Sequence, residues 1–156
     1  RIWNRAGKQI STLNAPLISI NTASFSPDGQ KIITTSENNN VQVWDNKGNL
    51  LFELKEHQDF ITSATFSPDS KLVLTASGDG TARLWDLSGK QLSIIKENKR
   101  IGANFSPDGK SIITVSDFKN VRIWNLSGNL LAELKADKTM VISSASFSPD
   151  GKYIIT

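Results

Sequence analysis

The sequence contains no cysteine and only one histidine, His57. Without cysteine the chain can form no disulfide, no thiolate nucleophile and no cysteine-bound zinc site. It also lacks paired metal-ligand spacing and a glycine-rich phosphate loop. We therefore expect a protein that is not an enzyme, with no cofactor, no metal and no catalytic residue.

Long hydrophobic runs are lacking as well. No apolar stretch approaches the ~18 residues that a membrane-spanning helix needs, and residues 1–4 do not read as a signal peptide. The absence of cysteine suits a reducing compartment, so we expect a cytoplasmic protein without a membrane partner. The chain does not begin with methionine, which suggests a fragment, a processed product or a trimmed chain.

Charge of one sign does not dominate. The 18 basic and 15 acidic residues give a net charge of +3, and they are interleaved along the chain. A nucleic-acid-binding protein usually gathers its lysines and arginines on one face. We therefore interpret most of these charges as solvated surface. The hydrophobic content of 38% is enough to bury a core.

One four-residue phrase, Phe-Ser-Pro-Asp, occurs four times. The copies stand at residues 25–28, 66–69, 105–108 and 147–150. Their spacings are 41, 39 and 42 residues, counted between successive phenylalanines (25 to 66, 66 to 105 and 105 to 147). A period of about 40 residues is typical of repeat architectures.

The unit with the most regular pattern predicts four short strands. Residues 60–67 alternate roughly by two and end at a Pro-Asp turn, and residues 71–76 are apolar and threonine-rich. The Ser-Gly-Asp-Gly turn at 77–80 separates these from residues 81–85, and residues 91–95 follow. Four strands per unit with no helical period between them is typical of a propeller blade.

The third strand of each unit ends in a Trp-Asp or Trp-Asn pair. The four tryptophans are Trp3, Trp44, Trp85 and Trp124. With these pairs and the repeated turns, the sequence resembles the WD-repeat family of β-propellers over essentially its whole length. The resemblance implies an all-β propeller of four-stranded antiparallel blades, in which each repeated phenylalanine packs between neighbouring blades. The expected boundaries are a half-blade at 1–15, blades at about 16–56, 57–96 and 97–137, and a half-blade at 138–156.

Four residues match the hydrogen-bonded tetrad of this family: His57, Thr75, Asp79 and Trp85. The resemblance implies a structural role, in which the buried network satisfies the indole N–H. A catalytic His-Asp-hydroxyl triad is the competing interpretation, and we disfavour it. The other units depart from the pattern and place different residues near the histidine position: Pro16, Lys96 and approximately Asp137.

The chain holds about four blade equivalents, and three forms of closure fit them. The repeats could belong to a longer propeller, usually seven-bladed in the family. They could close on themselves as a four-bladed ring. Two chains could also form an eight-bladed ring, each lending a half-blade to the other. If the chain is complete, we favour this homodimer, because bulky aromatic residues between blades resist the sharper wedge of a four-bladed ring.

Function is expected to be that of a protein–protein interaction scaffold, a docking or sensing module of a larger assembly. The resemblance implies partner contacts on the upper face, near the starts of the inner strands. The candidate contact residues are Phe60, Thr62, Asn21, Lys99, Ile101, Val141 and Ser143. The repeats also resemble bacterial, and especially cyanobacterial, WD-repeat arrays.

The alternative function is nucleic-acid binding through a basic lower face. Lysines recur at the start of the second strand, at Lys31, Lys71, Lys110 and Lys152. The aspartates of the repeated turns lie beside them and neutralise much of this charge. Aromatic side chains for base stacking are also missing there.

Overall fold

The computed structural model describes residues 1–14, 19–97, 99–135 and 141–156. These residues form β-strands joined by turns, and none of them lies in a helix. In chain order the strands are β1 (Ile2–Trp3), β2 (Gln9–Ser11), β3 (Ile20–Phe25), β4 (Lys31–Ser36), β5 (Val41–Asp45), β6 (Leu50–Leu54), β7 (Ile61–Phe66), β8 (Leu72–Ser77), β9 (Thr81–Asp86), β10 (Gln91–Lys96), β11 (Ile101–Phe105), β12 (Ser111–Ser116), β13 (Asn120–Asn125), β14 (Leu130–Lys135), β15 (Ser146–Phe147) and β16 (Ile154–Ile155).

Twelve of these strands form three antiparallel sheets of four strands each, with the strands in sequence order. Sheet I contains β3–β6, sheet II contains β7–β10 and sheet III contains β11–β14. Strands β1 and β2 form a two-stranded sheet, and so do β15 and β16. The predicted all-β class and the four-stranded antiparallel units are thereby confirmed. The blade boundaries drawn from the sequence, and the number of blades in a closed ring, remain predictions.

The described chain contains no helix that is long and apolar enough to cross a membrane.

The repeated Phe-Ser-Pro-Asp phrase forms the turn between the first and second strands of each unit. In sheet II the Ser67 hydroxyl donates to Asp69 Oδ1 at 2.6 Å, and the N–H of Lys71 donates to the same oxygen at 3.2 Å. The residue after the aspartate has a positive φ in every copy, 60° at Ser70 and 69–70° at the three glycines. Glycine is favoured at such a position because it has no Cβ to clash.

Side chains between adjacent sheets form the core. One buried cluster joins sheets I and II and includes Val43, Phe66 and Trp85. Another joins sheets II and III and includes Leu84 and Phe105. Phe66 and Phe105 therefore pack against the preceding sheet, and burial of apolar area at ~25 cal/mol per Å² makes this stacking a main source of stability.

Phe25 departs from this arrangement, because its side chain is 56% exposed. The expectation that every repeated phenylalanine packs between neighbouring blades is wrong at this position. Phe66 and Phe105 are covered by the inner strands of the sheet before them. Only β1 and β2 are described before sheet I, and they correspond to the third and fourth strands of a unit. Trp3, on β1, is also exposed, because no first or second strand of its unit is among the described strands.

Candidate functional site

A hydrogen-bonded network joins the four residues of the expected tetrad in sheet II. The indole Nε1–H of Trp85 donates to Thr75 Oγ1 at 2.9 Å. Thr75 Oγ1 lies 2.8 Å from His57 Nε2, and His57 Nδ1 lies 2.9 Å from Asp79 Oδ2. A neutral imidazole with its proton on Nδ1 satisfies every contact, since it donates to the carboxylate and accepts from the threonine hydroxyl.

Burial and hydrogen bonding set the charges in this network. Burial lowers the pKa of His57 below its usual 6.5, and the hydrogen bond and charge of Asp79 offset this only in part. Burial acts to raise the pKa of Asp79, but hydrogen bonds from Thr81, Gln58 and His57 outweigh it and lower that pKa to about 2. The pair is therefore a neutral histidine beside an ionised aspartate at neutral pH.

The network has no accessible nucleophile. Thr75 is fully buried, and its hydroxyl already contacts both the indole and the imidazole. A hydroxyl that no substrate can approach cannot act as a catalytic nucleophile. Hydrogen bonds from His57 and Gln58 to Asp79 hold the loop before β7 against the β8–β9 turn. The network therefore positions these two loops.

Within the residues that the structure describes, sheets I and III keep only the inner half of this network. Trp44 donates to Thr34 at 2.9 Å, and Trp124 donates to Thr114 at 2.9 Å. Pro16 and Asp137, which the sequence placed near the histidine position, lie outside the described residues. Lys96 was placed there as well, but it lies within β10 and pairs with Thr81. The reason is that only four residues separate β10 from β11, whereas six separate β6 from β7.

A second cluster lies on the upper face, which we define as the edge of the sheets that carries the turns at 37–40, 78–80 and 117–119. Here the guanidinium carbon of Arg100 lies over two aromatic rings, 5.3 Å from the centroid of Phe60 and 5.8 Å from that of Phe118. Both rings are solvent-exposed, at 44% and 47% respectively. Cation–π contacts of this kind contribute about 0.5–1 kcal/mol at exposed sites. We call these three residues the upper-face cluster.

Gly78 leaves room for the ring of Phe60 in this cluster. Gly78 lies beneath the ring, where an added Cβ would approach Phe60 Cε1 to 2.6 Å. The N–H of Gly78 donates to the carbonyl of Phe60 at 2.9 Å. The N–H of Asp117 makes the matching bond to the carbonyl of Arg100 at 3.3 Å. Phe60 and Arg100 are therefore equivalent positions at the starts of β7 and β11.

The expected contact residues occupy different settings. Thr62 and Ser143 line a cavity beside the upper-face cluster. Lys99 is exposed and pairs with Asp117 at 3.3 Å. Asn21 and Val141 are also exposed, but neither lines this cavity.

Ile101 is a correction to the sequence interpretation. Its side chain is 0% exposed and belongs to the core between sheets II and III. A fully buried residue cannot contact a partner. The residue was placed by counting back from the repeated Phe-Ser-Pro-Asp phrase, and this count is shifted by one residue in sheet III.

The shift comes from β-bulges in sheets I and II. The register breaks between Ile20 and Thr22 in sheet I and between Ile61 and Ser63 in sheet II, which leaves Asn21 and Thr62 as extra residues. Strand β11 pairs with β12 without any such break. Bulges commonly re-aim side chains beside functional sites.

The sequence interpretation missed Arg100 and Phe118. The available signal was the altered turn of the third unit, in which Phe118 stands where sheet II has Asp79. Both Asp117 and Phe118 have positive φ, at 52° and 55°. Positive φ is uncommon for a bulky residue, and such strain clusters at functional sites. A phenylalanine at a strained, exposed turn is thus a feature that stability alone does not explain.

The lower face, which carries the repeated turns, is electrostatically mixed. Lys71 lies 3.8 Å from Asp69 and Lys152 lies 3.5 Å from Asp150. Hydrogen bonds from the neighbouring serine hydroxyl and backbone N–H groups lower the pKa of each repeated aspartate. These carboxylates are therefore ionised at neutral pH and partly cancel the lysine charges.

Comparison with protein-family models identifies one family. A family model described as "WD domain, G-beta repeat" matches residues 7–45 and 48–86, which together are half of the chain. No curated protein matches the sequence. The second matched segment ends at Asp86 and contains the whole hydrogen-bonded network of sheet II.

Proposed function

We propose that this chain, which belongs to the WD-repeat family, is a non-catalytic docking module that holds a protein or peptide partner on its upper face. WD-repeat domains generally mediate protein–protein interaction. The observation that carries the proposal for this chain is the upper-face cluster of Phe60, Arg100 and Phe118. Aromatic residues and arginine are enriched among the residues that dominate binding energy at interfaces.

Rigidity of the surroundings supports a docking role. Phe60 and Arg100 both lie at the starts of inner strands, directly above the core between sheets II and III. His57 and Asp79 anchor the loop that leads into Phe60. A preorganised surface loses less conformational entropy on binding, and this favours affinity.

The non-catalytic part of the proposal depends on the environment of His57. The only histidine of the chain is buried and already hydrogen-bonded on both ring nitrogens. A general acid or base must reach the proton it transfers in a substrate. His57 has no such access, so we assign it to holding the upper-face loops in place.

Partner capture by matched variants tests this function. The tagged chain, Phe60→Ala and Leu92→Ala are each used to isolate interacting proteins from an extract. Leu92 is a similarly exposed apolar residue on the outer strand β10. We expect Phe60→Ala to lose the captured protein and Leu92→Ala to retain it. Equal capture by all three would refute docking on the upper face.

Nucleic-acid binding through the lower face is the alternative, and it has less support. The aspartates of the repeated turns lie beside the lysines that would contact phosphate. Binding of this kind weakens steeply as salt increases, because counterions are released. Retention of an oligonucleotide at 50 mM but not 200 mM salt, with loss on Lys71→Glu, would favour the alternative.

We also propose a form of assembly for this chain in isolation, in which two copies form an eight-bladed ring. Strands β15 and β16 correspond to the first and second strands of a unit, and β1 and β2 correspond to the third and fourth. Alignment with β4 and β5 places Ile154 of one copy opposite Trp3 of the other. Both Ile155 and Trp3 are exposed, and exposed strand edges favour pairing. Light scattering should give twice 17.1 kDa, and a monomer would refute the ring.

We also propose a cellular setting. The resemblance of the repeats to bacterial WD-repeat arrays suggests a sensing or docking part of a larger signalling assembly. The absence of cysteine suits the reducing cytoplasm. Fractionation of cells that produce the tagged chain tests this location, and recovery in the membrane or external fraction would oppose it.

A further inference from the structure

Arg100 carries a charge that the described residues do not neutralise. Its guanidinium makes no ion pair or hydrogen bond with any residue in the described ranges. Its contacts are instead with the rings of Phe60 and Phe118. An arginine in such contacts keeps N–H donors that can bind an anion bidentately.

Two acidic side chains close to the cluster in sequence have other partners. Asp117 pairs with Lys99 at 3.3 Å. Asp59 accepts the N–H of Phe60 at 2.8 Å and lies against Gly78, on the side of sheet II. Neither carboxylate pairs with Arg100 among the described residues, so the guanidinium keeps donors for an incoming anion.

A cavity of about 160 Å³ adjoins this charge. It is lined by Thr62, Arg100, Gly102, Val115, Phe118 and Ser143. The lining combines the Arg100 cation, the Ser143 hydroxyl and apolar surface, and Gly102 adds no side chain to fill it. The Thr62 hydroxyl also lies there, but it donates to the carbonyl of Ile101. A few polar groups that converge on a cavity beside aromatic and apolar side chains are typical of sites that orient a ligand.

We propose that this cavity binds an anionic side chain, a carboxylate or a phosphate, from the partner peptide. Arg100 binds the anion, while Phe60 and Phe118 contact an apolar residue next to it in the peptide. This inference rests on the proposed docking function and adds to it the chemistry of the partner. The strained turn at Asp117 and Phe118 is accounted for, since it holds the second ring over the arginine.

Synthetic peptides provide the test. The probes are an acetylated hexapeptide with a central Glu between two leucines, the same peptide with phosphoserine, and the same peptide with Gln. Binding is followed by NMR through the Arg100 Nε–H signal, assigned by its loss in Arg100→Lys. We expect saturable shifts with the Glu or the phosphoserine peptide, and at least tenfold weaker binding of the Gln peptide. The comparison of the first two identifies which anion is preferred.

Two variants separate the anion site from the fold. Arg100→Gln should abolish binding of the anionic peptides, whereas Lys110→Gln, at an exposed position on the lower face, should retain it within about threefold. Gly102→Val should place a side chain in the cavity while Arg100 remains. A Cβ at Gly102 meets no atom within 4 Å, so we expect the fold to accommodate the change. Each variant should show an unfolding midpoint close to that of the original chain.

The outcomes distinguish this inference from the docking function. Equal binding of the Glu and Gln peptides, or no shift with any peptide at 5 mM, would overturn the anion site. Capture of a partner that fails with Phe60→Ala but persists with Arg100→Gln would also overturn it and would leave the docking function intact. Capture that survives every upper-face variant would refute both.

Discussion

Trp85 donates its indole N–H to the hydroxyl of Thr75 at 2.9 Å, across the pair of strands β8 and β9. The same bond joins Trp44 to Thr34 and Trp124 to Thr114. Only in sheet II does a histidine contact this hydroxyl from the other side, as far as the described residues extend. The three sheets therefore allow a direct comparison. The Thr75 hydroxyl contacts both an indole and an imidazole, whereas the hydroxyls of Thr34 and Thr114 contact an indole.

Removal of this hydroxyl should have unequal effects. We expect Thr75→Val to lower the free energy of unfolding by about 2–3 kcal/mol, because it leaves both the indole N–H and a histidine nitrogen unsatisfied. Thr34→Val should lower it by about 1 kcal/mol, since only the indole loses its partner. Urea unfolding of the two variants provides the comparison. Equal losses would show that His57 adds nothing to the network.

Stability should depend on pH through His57. Its pKa in the folded chain is lowered below 6.5, so the unfolded chain binds a proton more readily. The stability contributed by neutral His57 is therefore fully present above pH 6.5 and is lost as the pH falls below that value. Thermal melts between about pH 7 and pH 5 should show this loss, and His57→Gln should reduce it. A wild-type melting temperature that stays flat over this interval would contradict the assignment.

A second loss should follow at lower pH through Asp79. Its pKa is about 2 in the folded chain against 3.8 for an ordinary aspartate. The stability it contributes is present above pH 3.8 and is lost as the pH falls towards 2. Asp79→Asn should lower the melting temperature at pH 7 and reduce the difference between pH 5 and pH 3. The pKa values of the repeated aspartates are lowered as well, so part of the difference in melting temperature between pH 5 and pH 3 should remain in Asp79→Asn. Asp28→Asn, which changes one of those aspartates, serves as the control.

Two phenylalanines from the same repeated phrase should behave differently on truncation. Phe105→Ala should lower the free energy of unfolding by about 3–5 kcal/mol, because it opens a cavity between sheets II and III. Phe25→Ala should have an effect below about 1 kcal/mol, since its side chain is 56% exposed. Denaturant unfolding at low chain concentration measures both. A small effect of Phe105→Ala would contradict the stacking of these sheets.

We expect the strained backbone at Phe118 to lower the stability of the folded chain. Phe118→Gly removes a bulky residue at φ 55° and should leave the melting temperature unchanged or raise it by a few degrees. The same variant should weaken partner capture at least tenfold. Val115→Ala, below it in the cavity lining, should instead lower the melting temperature. A marked destabilisation by Phe118→Gly would assign this ring to the fold rather than to binding.

Most of the fold could be predicted from the sequence, because each repeat specifies its own register. The Phe-Ser-Pro-Asp turn fixes the end of the first strand, and the tryptophan fixes the third. The predicted second strand at 71–76 and third strand at 81–85 differ by a single residue at some ends from β8 and β9. Local turn chemistry and alternating burial determine these elements.

The upper face was less predictable, because the sequence does not show at which position of a strand a β-bulge adds a residue. Thr62 is an extra residue in sheet II and has no counterpart in sheet III. Counting from the repeated phrase therefore matched Phe60 with Lys99 rather than with Arg100. The contact between the two aromatic rings and Arg100 also joins two sheets, and a pattern within one repeat does not describe such a contact.

Hydrogen–deuterium exchange of the chain with its captured partner is the most direct test of docking on the upper face. We expect slowed exchange at residues 60–63, 100–102 and 117–119, with no change at the repeated turns 67–71 and 106–110. Slowed exchange confined to those turns, or no change in either group at saturating partner, would contradict it.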